Sequence, residues 1–322
     1  MRALVFEQLG PLETGSIKEL PSVALASGQV RVQVTASGVN FVDSLMSEGR
    51  YQIKAPVPFI PGGEIVGLIS EIALDVQNLK IGDRVFVPVG VGGFASEVVT
   101  HAQRVLVLPD SLSDGQAATF MQSYMTAWFA FTVRVPLEPG RTMLVLGAGG
   151  GIGLAAVDVA HSMGVRVIAA ASSAEKLELA SARGAFATIN TSTENTKERA
   201  KELSGGGVDY LYDPVGGELG ETCLRALGED GNYIVIGFVA GIGQLPANQV
   251  LLRNRRVTGV DWGAWVSRHQ DQNRQLILDV LGAIGAGTLN PVEPIVYALD
   301  DAVQAMRDLQ ERRIAGKVVL IP

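Results

Sequence analysis

The sequence predicts an α/β protein in which an irregular β-rich region precedes a doubly wound parallel sheet. Three observations carry this. Short alternating apolar runs broken by turn residues fill positions 1 to about 110. A buried strand then turns through glycines into a helix at Met143-Leu-Val-Leu-Gly147-Ala-Gly-Gly-Gly-Ile-Gly153. From there strand-like and helix-like stretches alternate as far as Val260.

In chain order, the first strands are Ala3–Phe6, Gln29–Ala36, Ile65–Ile72, Gly82–Val87, Ala95–Thr100 and Val105–Leu108, each bounded by turn residues. Positions 115–131 read as a helix. After Pro139-Gly140 the strands are Met143–Leu146, Val165–Ala170, Ala187–Ile189, Val208–Tyr212, Tyr233–Ile236 and Arg256–Val260, with helices near 152–163, 173–182, 194–203, 218–227 and 247–253 between them. Six strands with interleaved helices predict the parallel sheet. A longer helix near 270–285, a strand near Val292, a helix capped by Asp300 and a last strand Lys317–Ile321 complete the chain.

At 322 residues and 47% hydrophobic, the chain has room for two domains and ample core. Its net charge of −7 argues against nucleic acid or an anionic membrane as the main partner. A single cysteine, Cys223, excludes an internal disulfide framework and a cysteine-built metal site, as expected of a cytoplasmic protein. The opening Met1-Arg-Ala-Leu-Val-Phe reads as a strand with no signal-like apolar core, and no run reaches 18 apolar residues.

The glycine turn is the strongest motif. Gly147, Gly150 and Gly153 fall three apart, freeing the backbone for a tight turn and close approach to a pyrophosphate, with Gly151 and Ile152 opening the helix. Unpaired N–H groups and the positive end of the helix dipole favour an anion there. The strict G-x-G-x-x-G spacing is not met, since Ile152 or Leu154 stands where its third glycine would be. The context carries the reading: Ile152, Ala155, Ala156, Val159, Ala160 and Met163 repeat at helical spacing, Gly164 stops the helix, and a buried strand follows.

Read together and in order, Ala36-Ser-Gly-Val-Asn-Phe-Val-Asp43, Pro61-Gly-Gly-Glu64, Lys80-Ile-Gly-Asp-Arg-Val85, the glycine turn, Asp213-Pro-Val-Gly-Gly217 and Gly316-Lys-Val-Val-Leu320 resemble the zinc-independent quinone oxidoreductases of the medium-chain dehydrogenase/reductase superfamily almost end to end. The resemblance implies a GroES-like catalytic domain over 1–122, a Rossmann dinucleotide domain over 123–264, and a C-terminal segment, 265–322, returning to the first. Asp158 and His161 depart from the family pattern, which carries Gln and then Lys or Arg there. Zinc-dependent relatives hold their metal with a cysteine, a histidine-glutamate pair and a second cysteine. Here the matching positions are Asn40, Gly63-Glu64 and Gln122, and His101, His161 and His269 lie far apart in sequence, so no metal is expected. Without a Lewis acid, the substrate must accept hydride readily, as quinones and activated alkenes do.

Cofactor choice is expected to be decided after the second parallel strand, at Ala169-Ala-Ala-Ser-Ser-Ala-Glu-Lys176. No carboxylate stands there to repel a 2′-phosphate; Ser172 and Ser173 can donate hydrogen bonds and Lys176 supplies positive charge, which predicts NADPH. The alternative is a capping box between Ser172 and Glu175 with Lys176 solvated.

For the pocket, the resemblance points to three residues. Asn40 would donate to a substrate carbonyl oxygen, or else stabilise its own loop. Tyr51 would deliver a proton to the carbon opposite the hydride acceptor, or else be exposed on a loop. Thr126 would hold the nicotinamide carboxamide, or else bond its own helix backbone. Val215, Phe238 and Val239 fall at the carboxyl edge of the sheet, where such folds bind ligand. Lys317 could reach the cofactor, an ordinary solvated lysine being the simpler reading.

The expected activity is hydride transfer from NADPH to a quinone or to the β-carbon of an α,β-unsaturated carbonyl. An enoyl-thioester or haloacrylate-type reductase of the same fold, and a crystallin-like NADPH-binding protein without turnover, are the alternatives. The open edge at Arg256–Trp262 predicts a homodimer.

Overall fold

The computed structural model describes residues 1–52, 54–109 and 111–322. The chain divides into two compact units, Met1–Phe120 with Val292–Pro322, and Met121–Pro291. The return to the first unit therefore comes at Val292 and not at residue 265, because the long helix over 270–285 packs within the second unit.

The elements of the first stretch are β1 (Arg2–Val5), β2 (Ser16–Glu19), β3 (Gln29–Val39), α1 (Phe41–Ser47), β4 (Glu64–Ile72), β5 (Arg84–Pro88), β6 (Glu97–His101), β7 (Leu106–Val107) and α2 (Asp114–Phe129). There follow β8 (Thr142–Leu146), α3 (Gly151–Ser162), β9 (Arg166–Ala171), α4 (Ala174–Ser181), β10 (Ala185–Asn190), α5 (Thr196–Ser204), β11 (Val208–Asp213), α6 (Gly217–Cys223), β12 (Leu227–Val235), α7 (Ala247–Leu251), β13 (Arg256–Gly259), α8 (Trp262–Val266) and α9 (Gln270–Gly285). The chain ends with β14 (Ile295–Ala298), α10 (Ala302–Gln310) and β15 (Val318–Ile321). The strand expected near Val292 begins three residues later, and Asp300 lies in a 3-10 turn ahead of α10 and does not cap it.

In the first unit β3 is the spine. It alternates buried and less buried residues from Gln29 and becomes fully buried over Ala36–Val39. On one side it pairs along its length with β4, antiparallel; on the other it pairs first with β6 and then, over Ser37–Val39, with β15. Gly38 must be glycine: a Cβ there would lie 2.1 Å from the Ala118 carbonyl oxygen of α2. The end of this spine is packed over Phe6, Phe59, Phe94, Leu299, Met306 and Val318.

The second unit holds a six-stranded sheet, ordered β10-β9-β8-β11-β12-β13, with every pair parallel. This is the doubly wound order in which the direction of winding reverses beside β8, and ligands bind outside the carboxyl ends of the strands at such a point. β8 is buried at every residue, as expected of a central strand covered on both faces. Leu144, Leu146, Ile168, Ile189 and Leu211 pack with Leu224 and Leu227 as its core on one face.

Candidate active site

The carboxyl end of β8 in the second unit is built from backbone. Gly147 ends β8 at φ +59°, and its carbonyl oxygen accepts the Gly150 N–H at 3.0 Å. The α3 N-cap is Gly150, with no side chain bonding the first helical amides, so the N–H groups of Gly151, Ile152 and Gly153 meet no capping side chain. A Cβ at Gly153 would lie 2.3 Å from the Gly147 oxygen and 2.7 Å from the Ala148 Cα. Only a bare backbone closes this turn against its own helix, and the result is a concave row of donors at the positive end of α3.

Three loops border that turn. The aliphatic stem of Lys176 lies over it, since a Cβ on Gly149 would be 2.3 Å from the Lys176 Cβ. The cap of α4 is Ser173, which accepts the Lys176 N–H at 3.5 Å, one residue later than the Ser172–Glu175 arrangement weighed from sequence. Ser172 is exposed beside it. Val215 approaches the turn from β11: its Cγ2 stands 3.0 Å from where a Gly147 Cβ would be. The Val215 and Gly216 N–H groups donate to Asp213 Oδ1 at 2.7 and 2.9 Å, while Tyr233 donates its hydroxyl to the other oxygen of the same buried carboxylate. Burial and Asp213 together push the Tyr233 phenol well above its ordinary range. Phe238 and Val239 are exposed on the loop after β12, which is tied back by the Ala240 N–H on the Val215 oxygen at 2.8 Å. Thr126, on α2, donates its hydroxyl to Gln122 O at 2.6 Å, so its own helix takes its proton and its oxygen keeps only acceptor capacity.

The first unit presents a buried polar cluster where three neighbouring strands end. Asn40 follows β3, Glu64 begins β4, and Lys317 precedes β15, all three under 10% exposed. Lys317 Nζ donates to Asn40 Oδ1 at 2.7 Å, and Asn40 Nδ2 donates to Glu64 Oε1 at 2.8 Å. The simpler sequence reading of a solvated lysine is thus corrected. Pairing of Val318 with Val39 carries the preceding lysine inward beside Asn40. Asp43 holds the loop from below, accepting the backbone N–H of Asn40 at 2.7 Å and of Gly62 at 3.2 Å. Burial drives the Asp43 carboxyl up to about 7, against those two hydrogen bonds. Burial likewise pulls the Lys317 ammonium down, opposed by the Glu64 and Asp43 carboxylates. Tyr51 is half-buried in the turn after α1, its backbone N–H on Leu45 O at 3.0 Å, and its hydroxyl makes no hydrogen bond among the described residues.

Residues 26–136 match the model of the alcohol dehydrogenase GroES-like domain and residues 151–279 that of the zinc-binding dehydrogenase. Quinone oxidoreductase-like protein 2 of Bos taurus is 36% identical over 307 residues, 94% of this chain and 88% of the relative. The chain belongs to the quinone oxidoreductase family of medium-chain dehydrogenases/reductases. The quinone oxidoreductase of Thermus thermophilus, solved also in its complex with NADPH, matches with a TM-score of 0.86 at 34% identity, covering 100% of both chains. The Escherichia coli quinone oxidoreductase complexed with NADPH matches with a TM-score of 0.90 at 26% identity, again covering 100% of both.

In this member of the family, sequence reasoning left two groups without a role. Asp213 was visible only within a motif, though as a buried aspartate just before Pro-Val-Gly-Gly it had backbone amides within reach to staple. Asp43 was likewise only a motif residue; its position three after Asn40 is the spacing at which a carboxylate reaches back to an N-terminal amide.

Proposed function

We propose that the protein is a zinc-free, NADPH-dependent reductase delivering hydride to a quinone or an activated α,β-unsaturated carbonyl. The observation that carries the reading is the glycine turn, which a single Cβ at Gly153 would keep from closing on its helix and whose helix amides no side chain caps. NADPH, known from the two solved relatives, fits it: Gly147 and Gly150–Gly153 would hold the pyrophosphate, and Ser172, Ser173 and Lys176 the 2′-phosphate. Val215, Phe238 and Val239 would line the nicotinamide ribose, and the Thr126 oxygen would accept from the carboxamide. When bound, the dinucleotide supplies the hydride.

The chain's own residues answer the charge that follows. As the acceptor gains hydride, negative charge grows on its oxygen, and an amide N–H fixed in a buried site stabilises that charge more than water does. Asn40 offers this: one Nδ2 hydrogen is held by Glu64, its oxygen by Lys317, and the other hydrogen remains for substrate. Tyr51 or water supplies the proton that completes reduction. The zinc-free element is supported by Asn40, Gly63 and Gln122 standing where zinc relatives carry ligands, and by the described residues holding no group of three or more His, Cys, Asp or Glu side chains able to bind a metal. The same described residues include no helix long and apolar enough to cross a membrane. The free edge of β13 supports a homodimer.

Spectrophotometric assay of NADPH oxidation against quinones, enones, enoyl thioesters and haloacrylates tests the reading, with elemental analysis of the purified protein alongside. Turnover with a quinone or enone and no stoichiometric zinc is expected; tight NADPH binding with no turnover on any acceptor would make the protein a non-catalytic binder. Tyr51→Phe is expected to lower kcat on enones about a hundredfold or more, the scale of general acid catalysis, with the NADPH Kd unchanged. Undiminished turnover would remove the tyrosine from the mechanism.

A further inference from the structure

The two neighbours of Asn40 decide which way round its amide lies. A charged lysine has three hydrogens and no acceptor, so the Asn40 atom 2.7 Å from Nζ has to be the carbonyl oxygen. An ionised glutamate has only acceptors, so the atom 2.8 Å from Glu64 Oε1 has to be the amide nitrogen. Both constraints demand the same orientation. Turning the amide over would set its hydrogens against an ammonium and its oxygen against a carboxylate, in a place where water is scarce and unpaired polar groups are costly. Below them, Asp43 fixes the Asn40 backbone through its N–H.

From this geometry we infer that Lys317 and Glu64 are positioning residues that lock the Asn40 amide, so that its second Nδ2 hydrogen is always the group presented to the oxygen of the hydride acceptor. The inference rests on the reading of Asn40 as the donor to substrate, and it removes Lys317 from the nucleotide's ligands. It also names the substrate chemistry the site selects. The locked group is a donor and never an acceptor, so the acceptor molecule must bring a carbonyl or quinone oxygen. A substrate offering a hydroxyl or ammonium hydrogen at that point finds no partner.

The lock is tested in two ways that fail separately. In protein labelled with 15N-asparagine, the Asn40 side-chain amide signal, assigned by its loss in Asn40→Ala, is expected to exchange slowly in the wild type. Exchange should quicken about tenfold or more in Lys317→Met and return to near the wild-type rate in Lys317→Arg, which restores a donor to Oδ1. In steady-state assays with NADPH and a quinone, Lys317→Met is expected to lose about tenfold or more in kcat while its NADPH Kd stays within about twofold, with Lys317→Arg recovering most of the rate. Unchanged exchange and unchanged kcat in Lys317→Met overturn the lock, and an equal fall in NADPH affinity overturns it by making Lys317 a nucleotide ligand. Removing the cation strands buried carboxylates, so if Lys317→Met does not fold, the double variant Lys317→Met with Glu64→Gln carries the same two comparisons. A wild type inactive on every acceptor defeats the reductase reading, whereas the exchange rates still judge the lock.

Discussion

Asp43 carries the clearest pH signature in the molecule. Its carboxyl is held up to about 7 by burial, against an ordinary value of 3.8 in the unfolded chain. Between those two values the folded protein binds the proton and the unfolded chain has released it, so this group's contribution to stability is full below about pH 4 and is lost as pH rises to about 7. Relative to Asp43→Asn, the wild type should lose on the order of 4 kcal/mol of unfolding free energy across that window, read from urea melts at each pH. Parallel curves for the two proteins would show that Asp43 does not titrate there. At this scale the sequence was legible where backbone alone acts. The glycines of the 147–153 turn announce their role by lacking side chains. The Lys317–Asn40–Glu64 contacts were hidden, because lysine after Gly316 looks like any surface lysine until strand register places it beside β3.

Helix α3 shows what an element can and cannot reveal. Its apolar repeat and glycine start were readable, as was the oddity of Asp158 among buried alanines and valines. The partners of that aspartate come from elsewhere: Tyr124 of α2 donates to Oδ2 at 2.6 Å, and the Asn290 N–H after α9 donates to the same oxygen at 2.6 Å. Burial raises Asp158, and raises the Tyr124 phenol well above its usual range. One carboxylate thus ties the helix that begins at the glycine turn to α2 and to the segment following α9. Tyr124→Phe leaves it buried with one donor fewer, and should cost about 1–3 kcal/mol in chemical denaturation. A loss under about 0.5 kcal/mol would mean that water replaces the phenol. Strand β2 escaped the sequence reading because Ser16-Ile-Lys-Glu19 holds a single apolar residue and so shows no alternation, and α1 was read only as part of a motif.

For the whole molecule, the order of β-rich region, alternating region and return was visible in the sequence, and the point of return was not. Nothing in the apolar period of α9 says which unit it covers; only its packing within Met121–Pro291 does. The proposed homodimer belongs to this scale. Among the described residues β13 pairs with β12 alone, and it exposes Val257. Such an edge is expected to be covered by its two-fold mate, and sedimentation equilibrium should give twice the chain mass; a single-chain mass at micromolar concentration would end that expectation. The register of β15 on β3 has a temporal consequence too. Lys317 is separated from Asn40 by 277 residues. During translation, the ribosome therefore makes the asparagine and both carboxylates long before it makes their cation, and the whole Met121–Pro291 unit emerges in the interval. A growing chain can therefore join Lys317 to Asn40 only once its final strand has been made and laid beside β3.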